Sequence, residues 1–189
     1  LIAEATDAQR STHLAPILRG DHVWCQGFSE PGSGSDLASL STKAVDDGDD
    51  YVVTGQKIWT SFAQVADYCE LLVRTDPDAP KHKGITMFMV NMKTPGVTIR
   101  PLINIADRHG FNEVFFEDVR VPASQVVGEV NRGWYHMAVA LDFERSGIGA
   151  FSGGRRTVER LTNLARSRPD LVALRPSVKA ELADRAVEI

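Results

Sequence analysis

The chain has 189 residues, 43% of them hydrophobic and 24% charged, which suffices for one full domain with flanking helices and a sizeable buried core. Its formal net charge of -4 argues against a nucleic-acid partner held through its phosphates, and no apolar run approaches a membrane span or reads as a signal peptide. The two cysteines, Cys25 and Cys69, do not make a disulfide scaffold and suit a reducing compartment, the cytoplasm.

In chain order, residues 6–18 read as a helix, with Pro16 placed awkwardly near its end. The chain opens inside this helix-like stretch, at Leu1 rather than a methionine. It closes on "KAELADRAVEI" without a Gly or Pro stop signal. Both ends therefore read as cuts in a longer chain. From about Val23 to Val121, β-branched and aromatic runs alternate with turn signals. The runs are "VWCQGF", "LSTKAV", "YVVTGQKIWTSF", "YCELLVRT", "ITMFMVNM", "VTIRPL" and "NEVFFEDVRV". That is about seven strands without helices between them. A parallel sheet needs crossover helices, so the expected fold is α+β, with an antiparallel β-barrel or sandwich flanked by helices.

Pro122 closes the strand region, and residues 131–166 have helical texture, with Met137, Leu141, Ile148, Val158 and Leu161 at helical intervals. Gly147, Gly149, Gly153 and Gly154 interrupt it. Two readings follow: two helices with a break near Gly153, or one long helix whose glycines permit close packing. "SRPDLVALRP" reads as a loop, and Ser177–Ile189 as the start of a further helix with Pro176 at its first turn.

Taken alone, "EPGSGSD" (Glu30–Asp36) is a turn rich in backbone amides, able to cradle an anion or simply to join two strands. It lacks the Walker lysine spacing and does not open a helix inside a βαβ unit, so it is no dinucleotide fingerprint. Its surroundings change its meaning. "FSEPGSGSD", then "VVTGQKIWTSFAQVADY", then "NEVFFEDVRVP", then "NRGW" with "LDFER" stand in order along the chain. This series resembles the acyl-CoA dehydrogenase family, with its "TEP-x-x-GSD", "G-x-K-x-W-I-T-N" and "V-x-F-E-D-V-x-V-P" motifs. The variants "KIWTSF" and "GITMFMVNMKTPGV" look most like the bacterial branch acting on diverse or bulky acyl-CoA thioesters.

The resemblance implies a three-domain architecture around FAD. Residues 1–20 would end an N-terminal helical domain, 21–128 would form the middle β domain, and 129–189 would begin a truncated C-terminal helical domain. It also implies a homotetramer or heterotetramer, an acyl-CoA substrate and electron delivery to an electron-transfer flavoprotein. Ser29 matches the hydroxyl at the pyrimidine side of the flavin, and Ser61 the hydroxyl near flavin N5. Both are Ser where Thr is commoner, so the donor survives without the packing methyl. Trp59 matches the tryptophan beside the isoalloxazine. Gln26 and Phe28 fall where the preceding strand offers backbone groups to the cofactor, and Ser35 where a serine lies near the FAD pyrophosphate or the CoA arm.

The implied reaction is α,β-dehydrogenation, with α-proton abstraction and transfer of the β-hydride to flavin N5. Of the two chain positions from which the family supplies its base, Glu144 of "LDFER" matches one, and the other lies beyond this chain. The plain alternative is that Glu144 pairs with an arginine on a helix surface. Strand serines and a lone tryptophan are likewise often surface and core residues. Two other functions stay open: a non-catalytic subunit paired with an active homologue, and an oxidase or monooxygenase on the same scaffold. The fragment by itself is expected to be inactive and to bind FAD weakly or not at all. Cys25 and Cys69 are expected in the core. His13, His22, His82, His109 and His136 have no metal-ligand spacing, so no metal is expected.

Overall fold

The computed structural model describes residues 1–145 and 147–188. They fall into two compact units, 1–140 and 141–189.

The first unit opens with helix α1 (Asp7–Arg19). Thr6 and Gln9 form a reciprocal cap: the Thr6 hydroxyl accepts the Gln9 amide at 3.2 Å and the Gln9 side chain accepts the Thr6 amide at 2.9 Å. Gly20, at φ 75°, ends the helix in the left-handed conformation. Pro16 is carried inside the helix, and its carbonyl accepts the Asp21 amide at 2.9 Å in the terminal turn. The Gln9 amide nitrogen donates to the carbonyls of Ser124 and Val126, both at 2.8 Å, which ties α1 to the far end of the β region.

Eight strands follow: β1 (Trp24–Gly27), β2 (Lys43–Asp47), β3 (Asp50–Lys57), β4 (Tyr68–Arg74), β5 (Ile85–Asn91), β6 (Val97–Ile103), β7 (His109–Pro122) and the short β8 (Val126–Val127). They pair in the order β6-β7-β3-β2-β4-β5-β8, with β1 on β4. Five of the pairings are antiparallel. The expectation of an antiparallel sheet needs correction at β4, where β1 and β2 both pair parallel. Parallel pairing needs a long return connection, not a helix as such. The segment from β1 to β4, with its loop and the β2–β3 hairpin, supplies one. The β2–β4 joint is a single pair, Lys43 with Arg74, so the sheet turns a corner there. Across that corner the inner faces meet in one core that joins Tyr51 and Val53 of β3 and Val114, Phe116, Val119 and Val121 of β7 to Leu71, Val73, Phe88 and Val90. The Tyr51 and Phe88 rings touch edge-on at 5.0 Å. Cys25 and Cys69 are buried free thiols, paired across the β1–β4 register.

β5 is buried on both faces from Ile85 to Val90, as its mostly apolar sequence requires, with Thr86 the polar residue in that run. One covering element is the start of α2 (Gly133–Glu144). A Cβ at Gly133 would stand 2.5 Å from the Met87 nitrogen, so only glycine allows this approach. The Asn131 amide donates to the Thr86 hydroxyl at 2.7 Å and fixes the entry to α2.

The second unit takes the end of α2, then α3 (Ile148–Ser167), α4 (Pro169–Leu174) and α5 (Val178–Glu188). The helices break at Gly147, φ 59°, and not near Gly153, which lies with Gly154 inside α3. A left-handed residue stops a helix more sharply than a glycine whose φ stays helical. The stretch expected as a loop forms α4, started by Pro169 at its first position. Of the expected last helix, Ile189 lies outside the described residues. An apolar groove of about 540 Å³ runs along this unit, lined by Leu161, Leu164, Val172, Val178 and Leu182. No helix among the described residues is long and apolar enough to cross a membrane.

Candidate functional site

The period-two pattern of β3 sends Tyr51, Val53 and Lys57 inward. An ammonium on that face needs a partner, and Glu30 provides it. The Lys57 Nζ lies 2.8 Å from Glu30 Oε1 and 3.0 Å from the Phe28 carbonyl oxygen, with the Lys57 side chain fully buried. The carboxylate accepts three further hydrogen bonds: from the Ser41 amide at 2.6 Å, the Ser41 hydroxyl at 2.8 Å and the Thr42 amide at 2.9 Å. Burial works to raise the Glu30 pKa, but the Lys57 charge and these hydrogen bonds outweigh it and bring it from an ordinary 4.5 to about 2. Burial pulls the Lys57 ammonium below its usual range, with Glu30 opposing that shift. A Cβ on Gly27 would meet Leu71 Cδ1 at 2.7 Å and Cys69 Sγ at 2.8 Å, and Lys57 Cγ would lie 3.5 Å away. The bare backbone at Gly27 thus leaves room for the lysine stem.

Two loops meet over this pair. The one after β1 carries Phe28, Ser29 and Glu30, and the one after β3 carries Ile58, Trp59, Thr60 and Ser61. The Ile58 amide donates to the Ser29 carbonyl at 2.9 Å and joins them directly. Beyond Lys57, which pairs with Val114, Thr60 and Asn112 exchange two backbone hydrogen bonds at 3.1 Å. Three steps on one strand match two on the other, so Trp59 takes up an extra residue as a bulge at φ 62°. The bulge turns its indole out of the ladder, 60% exposed and edge-on to Phe111 at 6.0 Å. Phe62, also at positive φ, is 62% exposed on the same turn. Buried Asn112 holds this turn: its Nδ2 donates to the Thr60 carbonyl at 2.9 Å and to Gln64 Oε1 at 2.6 Å, and its Oδ1 lies 2.7 Å from His109 Nε2.

The residues singled out in the sequence distribute as follows. Ser29 and Ser61 are half-buried on the two joined loops, and their hydroxyls have no hydrogen-bond partner among the described residues. Phe28 is half-buried, with its carbonyl already taken by Lys57 and its amide unpartnered among the described residues. Gln26 is exposed on β1, which pairs with β4. Ser35 is exposed further along the loop after β1. Glu144 is an exposed residue at the end of α2 and belongs to the second unit. The first unit thus brings Ser29, Trp59 and Ser61 onto one loop pair, with Phe28 beside them.

Residues 25–119 match the family model of the acyl-CoA dehydrogenase middle domain. The chain belongs to the acyl-CoA dehydrogenase family. It is 52% identical over 145 residues to acyl-CoA dehydrogenase FadE34 of Mycobacterium tuberculosis, covering 77% of this chain and 20% of that protein. The structure of a Tcur3481-Tcur3483 steroid ACAD variant superposes with a TM-score of 0.78 at 42% identity, over 97% of this chain and 48% of that one. The ChsE4-ChsE5 complex from Mycobacterium tuberculosis gives 0.70 at 45% identity, over 75% of this chain and 36% of that one. The chain therefore spans between a fifth and a half of these acyl-CoA dehydrogenase relatives.

Sequence reading passed over Lys57, Glu30 and Asn112. Both members of the ion pair stand inside acyl-CoA dehydrogenase motifs, in "SEP" and "GQKIW". The signal for Lys57 was present: a lysine on the inward phase of an alternating strand requires a buried acid. Nothing in the local pattern marks Asn112, because its role depends on the bulge opposite.

Proposed function

We infer that the complete protein is an FAD-dependent acyl-CoA dehydrogenase, that residues 21–128 are its middle domain, and that 1–20 and 129–189 belong to the helical domains on either side. One observation carries the reading: two hydroxyls without a partner among the described residues, Ser29 and Ser61, and an exposed indole, Trp59, stand on two loops locked together by a buried ion pair. Side chains without protein partners on a rigid base suit an external ligand with a polar edge and an apolar face. The isoalloxazine of FAD has both, so the residues present fit the cofactor.

The bound flavin supplies the acceptor for the hydride that leaves the substrate β-carbon. This chain's residues do the rest. Ser29 and Ser61 donate to the polar edge of the ring, and the amide of Phe28 and the backbone of Gln26 add donors and acceptors beside it. Trp59 covers an apolar face and excludes water. Ser35 reaches the pyrophosphate or the CoA arm. Glu144 takes the α-proton of the thioester as general base. The relative described as a steroid ACAD directs the substrate toward bulky acyl-CoA thioesters. Electrons pass on to an electron-transfer flavoprotein, and the protein works in the cytoplasm as an oligomer.

A second reading has an observation in its favour. One similar structure is a complex of two differently named chains. On that pattern this chain is the non-catalytic member of an unequal pair. The flavin content of the complete protein purified alone, followed by anaerobic titration with acyl-CoA thioesters, tests the choice. Bound flavin that bleaches supports the dehydrogenase. Flavin that appears only with a homologous partner supports the pair, and flavin oxidised by oxygen with hydroxylated product supports a monooxygenase.

A further inference from the structure

We propose that Lys57 and Glu30 are positioning residues of the active site, a clasp that fixes the spacing between the Ser29 loop and the Trp59–Ser61 turn. The inference rests on the flavin reading above and adds two residues that do not themselves face the cofactor.

The connectivity supports it. Lys57 is the last residue of β3, two positions before Trp59 and four before Ser61. Its ammonium does not bind its own loop. It reaches across to the Phe28 carbonyl and the Glu30 carboxylate, the residues on either side of Ser29. Ser29 is therefore bracketed by two contacts to one buried cation, and its own carbonyl is held by the Ile58 amide. Glu30 in turn is anchored from behind by Ser41 and Thr42, just ahead of β2. The two loops thus reference each other through a group that cannot shift without leaving a buried charge unpaired.

A stability role alone would not require this arrangement. Apolar residues of similar volume fill such a space at equal or better stability. The ion pair carries directional bonds from the end of β3 to Phe28, Ser41 and Thr42, all in the segment between β1 and β2, which an apolar replacement cannot make. Donors aimed at a cofactor edge lose effect steeply when misplaced by about 1 Å.

The test uses the complete holoenzyme with Lys57→Met, Glu30→Gln and the double change. In the double variant no unpaired charge remains, and only the Phe28 carbonyl and one donor to residue 30 lose their partners, so the thermal midpoint should fall by less than in the Lys57→Met single variant. If the clasp positions the loops, amide exchange at Ile58 in the flavin-free double variant should rise at least about tenfold, and flavin reduction at saturating acyl-CoA should slow about 10- to 100-fold. KM should move much less than the reduction rate. A double variant with parental exchange and parental reduction overturns the proposal, as does slow reduction with unchanged exchange. Should the double variant fail to fold, Ser41→Ala keeps the ion pair and removes one donor to Glu30. It should give the same changes at about threefold, and parental exchange there also overturns the proposal. If the unaltered complete protein binds no flavin, the functional reading falls, while the Ile58 exchange still decides whether the clasp holds the loops.

Discussion

Changing Lys57 to methionine keeps most of the apolar stem and deletes the charge. Glu30, with its side chain only 5% exposed, then remains as a buried carboxylate without its cation. Removing one partner of a buried pair costs about 3–5 kcal/mol. Glu30 keeps the two amides and one hydroxyl from Ser41 and Thr42, which places the loss near the lower end of that range. The lost bond to the Phe28 carbonyl adds about 1 kcal/mol. The expected destabilisation is thus about 3–4 kcal/mol at neutral pH, or roughly 6–16 °C in Tm for a domain of this size. The pH dependence has a definite sign. In the parent, the folded-state pKa of Glu30 is depressed from 4.5 to about 2, so its stabilising contribution is fully present above 4.5 and is lost as pH falls through about 2. Without Lys57 the carboxyl protonates more readily, which relieves the unpaired charge. The stability gap between variant and parent should therefore be widest near pH 7 and narrow steadily on acidification toward pH 3. Denaturant unfolding followed by tryptophan fluorescence at several pH values measures it. A gap below about 1 kcal/mol at neutral pH, or one that does not change with pH, would refute the reasoning.

Other perturbations have equally definite outcomes. Gly27→Ala places a Cβ against Leu71 and Cys69 and should cost about 1–3 kcal/mol in the same unfolding assay, with no pH dependence. Ser61→Ala in the complete enzyme should slow flavin reduction by acyl-CoA while leaving the unfolding stability within about 0.5 kcal/mol, since the hydroxyl has no hydrogen-bond partner among the described residues. Glu144→Gln should preserve flavin binding and reduce α-proton exchange and substrate-dependent bleaching by orders of magnitude, whereas a loss of only a few-fold would move the base to another residue.

Much of the fold was legible because its signals are local. The seven apolar runs became β1 to β7, and the turn residues between them mark the observed connections. β8 escaped notice because two residues, Val126 and Val127, carry no periodicity and owe their pairing to β5. The parallel joints at β4 were illegible for a related reason: which edges meet is decided by the corner between β2 and β4. The helix break moved from Gly153 to Gly147 because glycine composition alone does not say which glycine takes a left-handed φ. At the candidate site, the motifs marked Ser29, Trp59 and Ser61, and the structure sets them on adjoining loops. What holds those loops was less visible. Lys57 and Glu30 are far apart in the chain, and Asn112 acts on a bulge that exists only once β3 and β7 have paired.

The central claim is that these loops hold a flavin that takes a hydride from an acyl-CoA thioester. Anaerobic mixing of the complete flavoprotein with a bulky acyl-CoA, followed by analysis of both flavin and thioester, tests it most directly. Reduced flavin and α,β-unsaturated thioester should form in equal amounts, with the α-deuterium of a labelled substrate released to solvent. Flavin that stays oxidised across a panel of acyl-CoA thioesters, or that is reduced without any enoyl product, would contradict it.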